Sequence, residues 1–283
     1  MSRPRVSLVA DWDRSDVAGI RAAVERIVGA HGEIVSRVPA SRDGDVVAED
    51  VELAVVIGGD GTIIRHLRRL GPAGVPVAGV NVGRLGFLAE FDCERLEACA
   101  SDLFAGRLPR LEHRFAGWSV RDARGAVLAE GLAVNDCAIA SGPPFRMIEL
   151  DLEIDGVDGP RLAGDGLVMA TPTGSTAYSA SAGGPIVHPS VEALVITPLA
   201  AHSLAFRPIV LGGRAELRVR VERANSGTSL MRDGEVVRTL SAGDVVEVRP
   251  GAASGTMIAD PATSYWTIVQ DKLNWALPPR YRR

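Results

Sequence analysis

The first third of the chain alternates two kinds of apolar pattern. Val6-Ser-Leu-Val-Ala10 is a short run of strand length, after which Val17, Ile20, Val24, Ile27 and Val28 recur at helical spacing on one face, and Glu33 to Val38 reads as a second strand. Leu53-Ala-Val-Val-Ile57 is apolar without interruption, the pattern of a strand buried on both faces of a parallel sheet. A glycine-rich turn follows it. Thr62 to Leu70 then predicts a helix, Val75 to Val80 a strand, and Asp92 to Gly106 a helix that closes near a glycine. This alternation predicts a doubly wound α/β domain with a mostly parallel sheet over residues 1–110.

From Leu111 the texture changes. Short alternating segments are separated by turn signals at Asp122-Ala-Arg-Gly125, Asp155-Gly156, Asp233-Gly234 and Ala242-Gly-Asp244. They predict a β-rich domain over residues 111–260. Helical character returns from Ser264 to Trp275, so residues 261–283 are expected to form a terminal helix that packs back on the α/β domain. The chain has no internal repeat and no low-complexity linker.

At 283 residues the chain is long enough for a sizeable core without staples. A formal charge of −4 supplies no basic field, which argues against a nucleic-acid partner and for small-molecule chemistry. Lys272 is the only lysine. That excludes a Walker A loop, which needs Gly-Lys-Ser/Thr, and any Schiff-base lysine in the middle of the chain. Cys93, Cys99 and Cys137 are odd in number and form no CxxC pair, so they are expected to be small buried apolar residues rather than a disulfide framework or a zinc site. Met1-Ser-Arg-Pro-Arg runs into the first strand without a membrane-length apolar stretch, and a cytoplasmic protein with no membrane partner is expected.

Two segments carry candidate chemistry. Gly58-Gly59-Asp60-Gly61-Thr62 stands where a buried strand meets a helix, the ligand end of a strand in an α/β sheet. Glycines there let backbone N–H groups approach a phosphate, and the helix N-terminus adds partial positive charge. An acidic residue in such a loop repels phosphate unless it binds Mg²⁺ or accepts a proton, which makes Asp60 a candidate catalytic group. The plainer alternative is a tight turn with Asp60 as a helix cap. The second segment runs from Gly164-Asp165-Gly166 through Thr171-Pro-Thr173-Gly-Ser-Thr176-Ala177-Tyr178-Ser-Ala-Ser181 to Gly183-Gly184-Pro185. Its hydroxyls suit a polyol or nucleoside, Ala177 leaves room for a flat base, and Tyr178 offers a ring and a hydroxyl. On composition alone, a serine-rich capped helix without a ligand is an equal reading.

The glycine turn resembles the phosphate loop of a superfamily that joins NAD kinases, diacylglycerol and sphingosine lipid kinases, and phosphofructokinases. Asn81-Val-Gly-Arg-Leu-Gly-Phe-Leu88 is similar to the Asn-x-Gly-x-Leu-Gly-Phe-Leu of NAD kinases, and the second segment resembles that family's Thr-Pro-Thr-Gly-Ser-Thr-Ala-Tyr signature almost without a gap. The resemblance runs from the glycine loop to the C-terminus. It implies Mg²⁺-dependent transfer of the terminal phosphate of ATP, or of inorganic polyphosphate, to the adenosine-ribose 2'-hydroxyl of NAD. Gly58, Gly59, Gly61 and Thr62 would hold the donor, with Arg84 available to meet an anion. Asn135, Asp136, Thr176, Ala177 and Tyr178 would hold NAD, with Asp165, Thr173 and Ser181 in supporting contacts and Asp233 adding an acidic group. The resemblance also implies a homodimer or homotetramer. A lipid kinase would share the glycine loop but needs no Thr-Gly-Ser-Thr-Ala-Tyr segment, and a dinucleotide sensor would use Asp60 only as a cap.

Overall fold

The computed structural model of the chain describes residues 3–41, 50–83 and 86–273. The described residues fall into two compact units, one within Met1–Leu111 and Gly255–Arg283, the other Glu112–Ser254.

The first unit contains β1 (Arg5–Ala10), α1 (Ala18–His31), β2 (Glu33–Pro39), β3 (Leu53–Ile57), α2 (Asp60–Leu70), β4 (Val77–Val80) and α3 (Cys93–Phe104). Its strands lie in the order β2-β1-β3-β4, all parallel, and Met257 pairs in parallel with Val77 at the β4 side. Leu8, Val55 and Val80 share a cluster with Val24 and Ile27 of α1 and Leu96 and Leu103 of α3. α2 covers the opposite face, since a side chain at Gly79 of β4 would collide with Ile63. Helices on both faces make every position of β3 buried, as an uninterrupted apolar run requires. The Asp92 side chain caps α3 by accepting from the Arg95 amide at 2.8 Å, and the Arg95 guanidinium grips the buried Asp260 carboxylate through two bonds of 2.7 and 2.6 Å.

The second unit begins within β5 (Arg110–Arg121) and continues through β6 (Val127–Ala133), β7 (Asp136–Ala140), β8 (Ile148–Ile154), β9 (Val157–Gly164), β10 (Gly166–Ala170), α4 (Tyr178–Ser181), β11 (Ala193–Leu199), β12 (Ile209–Gly212), β13 (Leu217–Arg223), β14 (Ser229–Arg232) and β15 (Glu235–Thr239) into β16 (Val245–Ile258). One group of strands runs β16-β13-β8-β9, with β5 on β16 and β6 on β5; the other runs β12-β11-β10-β7-β14-β15 with antiparallel pairing throughout. The two pack face to face around a core that includes Trp118, Ile139, Leu150, Leu167, Met169, Leu194 and Val219. Alternation along β10 sends Leu167 and Met169 into that core and Val168 and Ala170 to the other face, where Val187, Leu199 and Met231 cover them. The loop after β10 therefore leaves the best-buried strand of its sheet. α5 (Tyr265–Leu273) is grouped with the first unit and buries Ile268 and Val269; the expected helix end at Trp275 lies outside the described residues.

Two expected bounds and one expected burial change for local reasons. α2 begins at Asp60 rather than Thr62, because Gly59 is its N-cap. β4 begins at Val77, since Pro76 has no N–H to give and only its carbonyl joins the ladder, accepting from Ala54 at 2.9 Å. Cys99 and Cys137 are buried, whereas Cys93, in the first turn of α3, is only half-buried.

Gly166 is the glycine this arrangement depends on most. Its φ is 156°, and a Cβ there would strike the Ile139 carbonyl of the neighbouring strand. Gly166→Ala is expected to lower the thermal unfolding midpoint by roughly 5 °C or more. Gly19→Ala, on the open side of α1, should leave it unchanged or raise it. Equal midpoints for the two variants would show that β7 and β10 do not approach this closely.

Candidate active site

In the first unit the candidate chemistry gathers at the C-terminal ends of β3 and β4. Gly58 donates to the Val80 carbonyl at 2.9 Å, and the space a side chain would fill at Gly58 is occupied by Thr62, whose amide donates to Gly59 O at 3.0 Å. Among the described residues, none comes within 4 Å of where a Cβ would stand at Gly59 or Gly61, so none of them crowds the head of α2 there. Asp60 is the first residue of that helix and is half-buried.

Its carboxylate is held from outside the helix. Oδ2 accepts from the Phe87 amide at 2.9 Å, and Oδ1 accepts from Leu88 at 3.1 Å and Ala89 at 3.4 Å. Two glycines make this approach available. A side chain at Gly86 would overlap the Asp60 carboxylate, and one at Gly79 would overlap the Leu88 carbonyl and Ala89. The segment is anchored at its start by Asn81, whose Oδ1 accepts from Gly83 at 2.9 Å, and at its end by Phe91, which donates to Gly79 O at 3.1 Å. The two motifs singled out in this unit are thus one structure, and Asp60 joins them. Arg84 lies outside the described residues.

In the second unit, the start of β7 and the loop after β10 lie side by side. Thr171 donates from its amide to Asn135 O at 2.8 Å and from its hydroxyl to Val134 O at 2.6 Å, and Gly174 presses on the Asn135 carbonyl where any side chain would collide. Asp233, in the β14–β15 turn at a φ of 48°, accepts from the amides of Val134, Asn135 and Asp136 at 3.2, 2.7 and 3.2 Å. Its role in this unit matches that of Asp60 in the other.

The loop itself is a 3-10 turn, Thr173–Thr176, followed by the short α4. Several of its hydroxyls are committed to the protein. Ser175 bonds Pro172 O at 2.6 Å and the Val187 amide at 2.9 Å, and Ser179 bonds Thr197 at 2.8 Å. Thr176 bonds Thr173 O at 3.2 Å, and Thr173 meets His113 of β5. Ala177 is half-buried, while Tyr178 and Ser181 are exposed. Tyr178 and Asp165 line a cavity of about 390 Å³ together with Ser141, Phe145, Ala182 and Leu199. Sequence reasoning gave roles to Thr173, Thr176, Ala177, Tyr178 and Ser181 but none to Ser175 and Ser179, and it missed His113, which is 60 residues from its partner. No spacing signal connects residues so far apart.

Burial, then repulsion from Asp233, pushes the Asp136 carboxyl up to about 7. Burial, then Asp136 and Asp165, raises Tyr178, which keeps its proton. Burial pushes His113 down to about 4, so its ring is neutral. For Asp136 the folded chain keeps a proton that the unfolded chain has released, so stability falls as pH rises from the ordinary carboxylate range through the folded value of about 7. The loss amounts to about 4 kcal/mol at most. Without substrates, the wild-type thermal midpoint should therefore fall between about pH 5 and about pH 8, and Asp136→Asn should remove that part of the slope. The same pH dependence in both proteins would show that Asp136 is solvated.

Residues 39–108 match the model of the ATP-NAD kinase N-terminal domain, and residues 134–259 match that of the ATP-NAD kinase C-terminal domain. The NAD kinase of Rhodopirellula baltica is 34% identical over 278 residues, covering 96% of this chain and 87% of its own. That of Symbiobacterium thermophilum is 38% identical over 227 residues, 80% of this chain and 79% of its own. The fold matches the crystal structure of yeast NADH kinase complexed with NADH at a TM-score of 0.85 and 23% identity, over 100% of this chain and 90% of that one. It also matches an NAD kinase from Archaeoglobus fulgidus in complex with ATP at 0.73 and 26%, over 91% and 94%. With both domain models matched in order and a relative aligned along almost its whole length, this chain belongs to the NAD kinase family.

Proposed function

We propose that this protein transfers the terminal phosphoryl group of ATP to the 2'-hydroxyl of the adenosine ribose of NAD, forming NADP and ADP. The observation that carries this reading is the carboxylate of Asp60, fixed by the amides of Phe87 and Leu88 at the head of α2 beside Gly59 and Gly61, which no described residue crowds. Kinases bearing the name NAD kinase align with the chain on both sides of that loop. A lipid kinase would have no use for the Thr173–Thr176 turn and its neighbours.

Phosphoryl transfer asks for positioning and charge neutralisation more than for covalent chemistry. Gly58, Gly59, Gly61 and Thr62 hold the donor phosphates against the N-terminal end of α2, where the helix field favours negative charge. Magnesium would enter with ATP; Asp60 is the protein carboxylate that would touch it, and the ion would supply neutralisation of charge on the phosphates. Asp60 Oδ2 carries a single amide bond, which leaves it able to accept the ribose hydroxyl proton. The O2'–P bond forms as the bond from the γ-phosphorus to the bridging oxygen breaks, and ADP leaves.

Asn135, Asp136, Thr176, Ala177 and Tyr178 receive NAD, with Asp165, Thr173, Ser181 and Asp233 in support. A wall of hydroxyls, a neutral imidazole behind it and a carboxyl that ionises only near 7 suits a nucleoside, which brings hydrogen-bonding edges rather than net charge. This reading carries with it a cytoplasmic location and a homodimeric or homotetrameric assembly, with no membrane or nucleic-acid partner. Among the described residues no helix is long and apolar enough to cross a membrane.

Incubating the purified protein with ATP, Mg²⁺ and NAD, and reading product with an NADP-specific dehydrogenase, tests the proposal; diacylglycerol and sphingosine serve as competing acceptors. No NADP, or phosphorylation of a lipid instead, would end it. Asp60→Asn should lower kcat by roughly 10² or more while the KM for NAD stays within a few-fold, and nearly full kcat would remove Asp60 from the chemistry. Ala177→Leu should raise the KM for NAD steeply with little change for ATP. Equal changes for both substrates would make the loop a structural element only.

A further inference from the structure

Most hydroxyls of the loop after β10 are fixed by their own surroundings: Thr171 by Val134, Ser175 by Pro172 and Val187, Ser179 by Thr197. Thr173 is held differently. Its hydroxyl lies 2.9 Å from Nδ1 of His113, which β5 brings in from 60 residues earlier in the chain. His113 is 4% exposed, and burial keeps its ring neutral. The contact is therefore a hydrogen bond between neutral groups, and a neutral imidazole nitrogen can serve it as donor or as acceptor.

What the bond holds gives it consequence. The Thr173 carbonyl accepts from the Thr176 hydroxyl at 3.2 Å, and the Ala177 amide donates to Gly174 O at 2.9 Å, so the turn is a closed unit, tied in its middle to Val187 through Ser175. Gly174 fixes one side of it against the Asn135 carbonyl, and His113 fixes the other. Rotation about Thr173 would swing Thr176 and Ala177 together, the two residues to which the proposed function gives the adenosine.

We propose that His113 is a positioning residue for the dinucleotide: through Thr173 it holds the Thr173–Thr176 turn in the orientation that receives the adenosine half of NAD. The proposal rests on the assignment of this loop to NAD. His113 itself touches no substrate; from a strand outside the loop's own sheet it adds, at Thr173, to the preorganisation that the bonds of Thr171 and Ser175 give the rest of the turn.

The test is steady-state kinetics on the full chain. His113→Phe fills the buried volume without the hydrogen bond and should raise the KM for NAD roughly tenfold, the scale of one lost hydrogen bond, with the KM for ATP unchanged within about twofold. His113→Asn, which can present a polar atom near the place of Nδ1, should recover most of the loss. In a Thr173→Val background the Phe substitution should change nothing further, because its effect passes through that hydroxyl. His113→Leu keeps the test open if the larger ring is not accommodated. An unchanged KM for NAD in the Phe and Leu variants, equal changes for NAD and ATP, or additivity with Thr173→Val would overturn the proposal. Failure of the wild-type protein to make NADP would instead refute the underlying assignment, so the two failures are distinguishable.

Discussion

A carboxylate that accepts hydrogen bonds from consecutive backbone amides is the constraint on which both candidate regions depend. Asp60 gathers the amides of Phe87, Leu88 and Ala89, and Asp233 gathers those of Val134, Asn135 and Asp136. Hydrogen bonds to a charged acceptor contribute about 1.5–3 kcal/mol each, enough to fix a segment that has no ladder of its own. In each case the acid sits at a turn or helix start, and the segment it grips carries the neighbouring motif. Close approach then demands bare backbone, which is why Gly86 and Gly79 stand against the first cluster and Gly174 against the second.

The two regions divide the electrostatic task. At the head of α2, backbone amides and the helix N-terminus favour an anion, and the acid placed among them is already neutralised in part by the amides it holds. Around the Thr173–Thr176 turn burial keeps His113 neutral and, with Asp233, raises the Asp136 carboxyl to about 7, while Asp165 and Asp233 add acidic groups. Phosphates and a nucleoside ask for these two different environments.

Much of the fold is legible in the sequence because it follows from pattern alone. The unbroken apolar run Leu53–Ile57 is the strand it predicts, and Asp155-Gly156 and Asp233-Gly234 are hairpin turns because only a few residue types accept positive φ. Gly58–Thr62 is legible as a candidate site for a similar reason, since an acid among the glycines of a strand-to-helix turn needs an explanation. The hydroxyl-rich loop is not. Its residues alone fit a capped helix equally well, and most of its hydroxyls do bond the protein, so its reading as an NAD pocket came from the resemblance. Contacts between residues far apart in sequence, such as Asp60 with Phe87 or His113 with Thr173, leave no local signature and emerge only when the strands are assembled.

The central claim concerns one bond, from the γ-phosphorus of ATP to the 2'-oxygen of the adenosine ribose of NAD. Phosphorus NMR of the purified protein with ATP, Mg²⁺ and NAD tests it most directly. The expected result is one new phosphomonoester signal, coupled to the proton on the 2'-carbon of that ribose and growing in step with ADP. Phosphate on another hydroxyl, or ADP and inorganic phosphate appearing while NAD stays unmodified, would contradict the account.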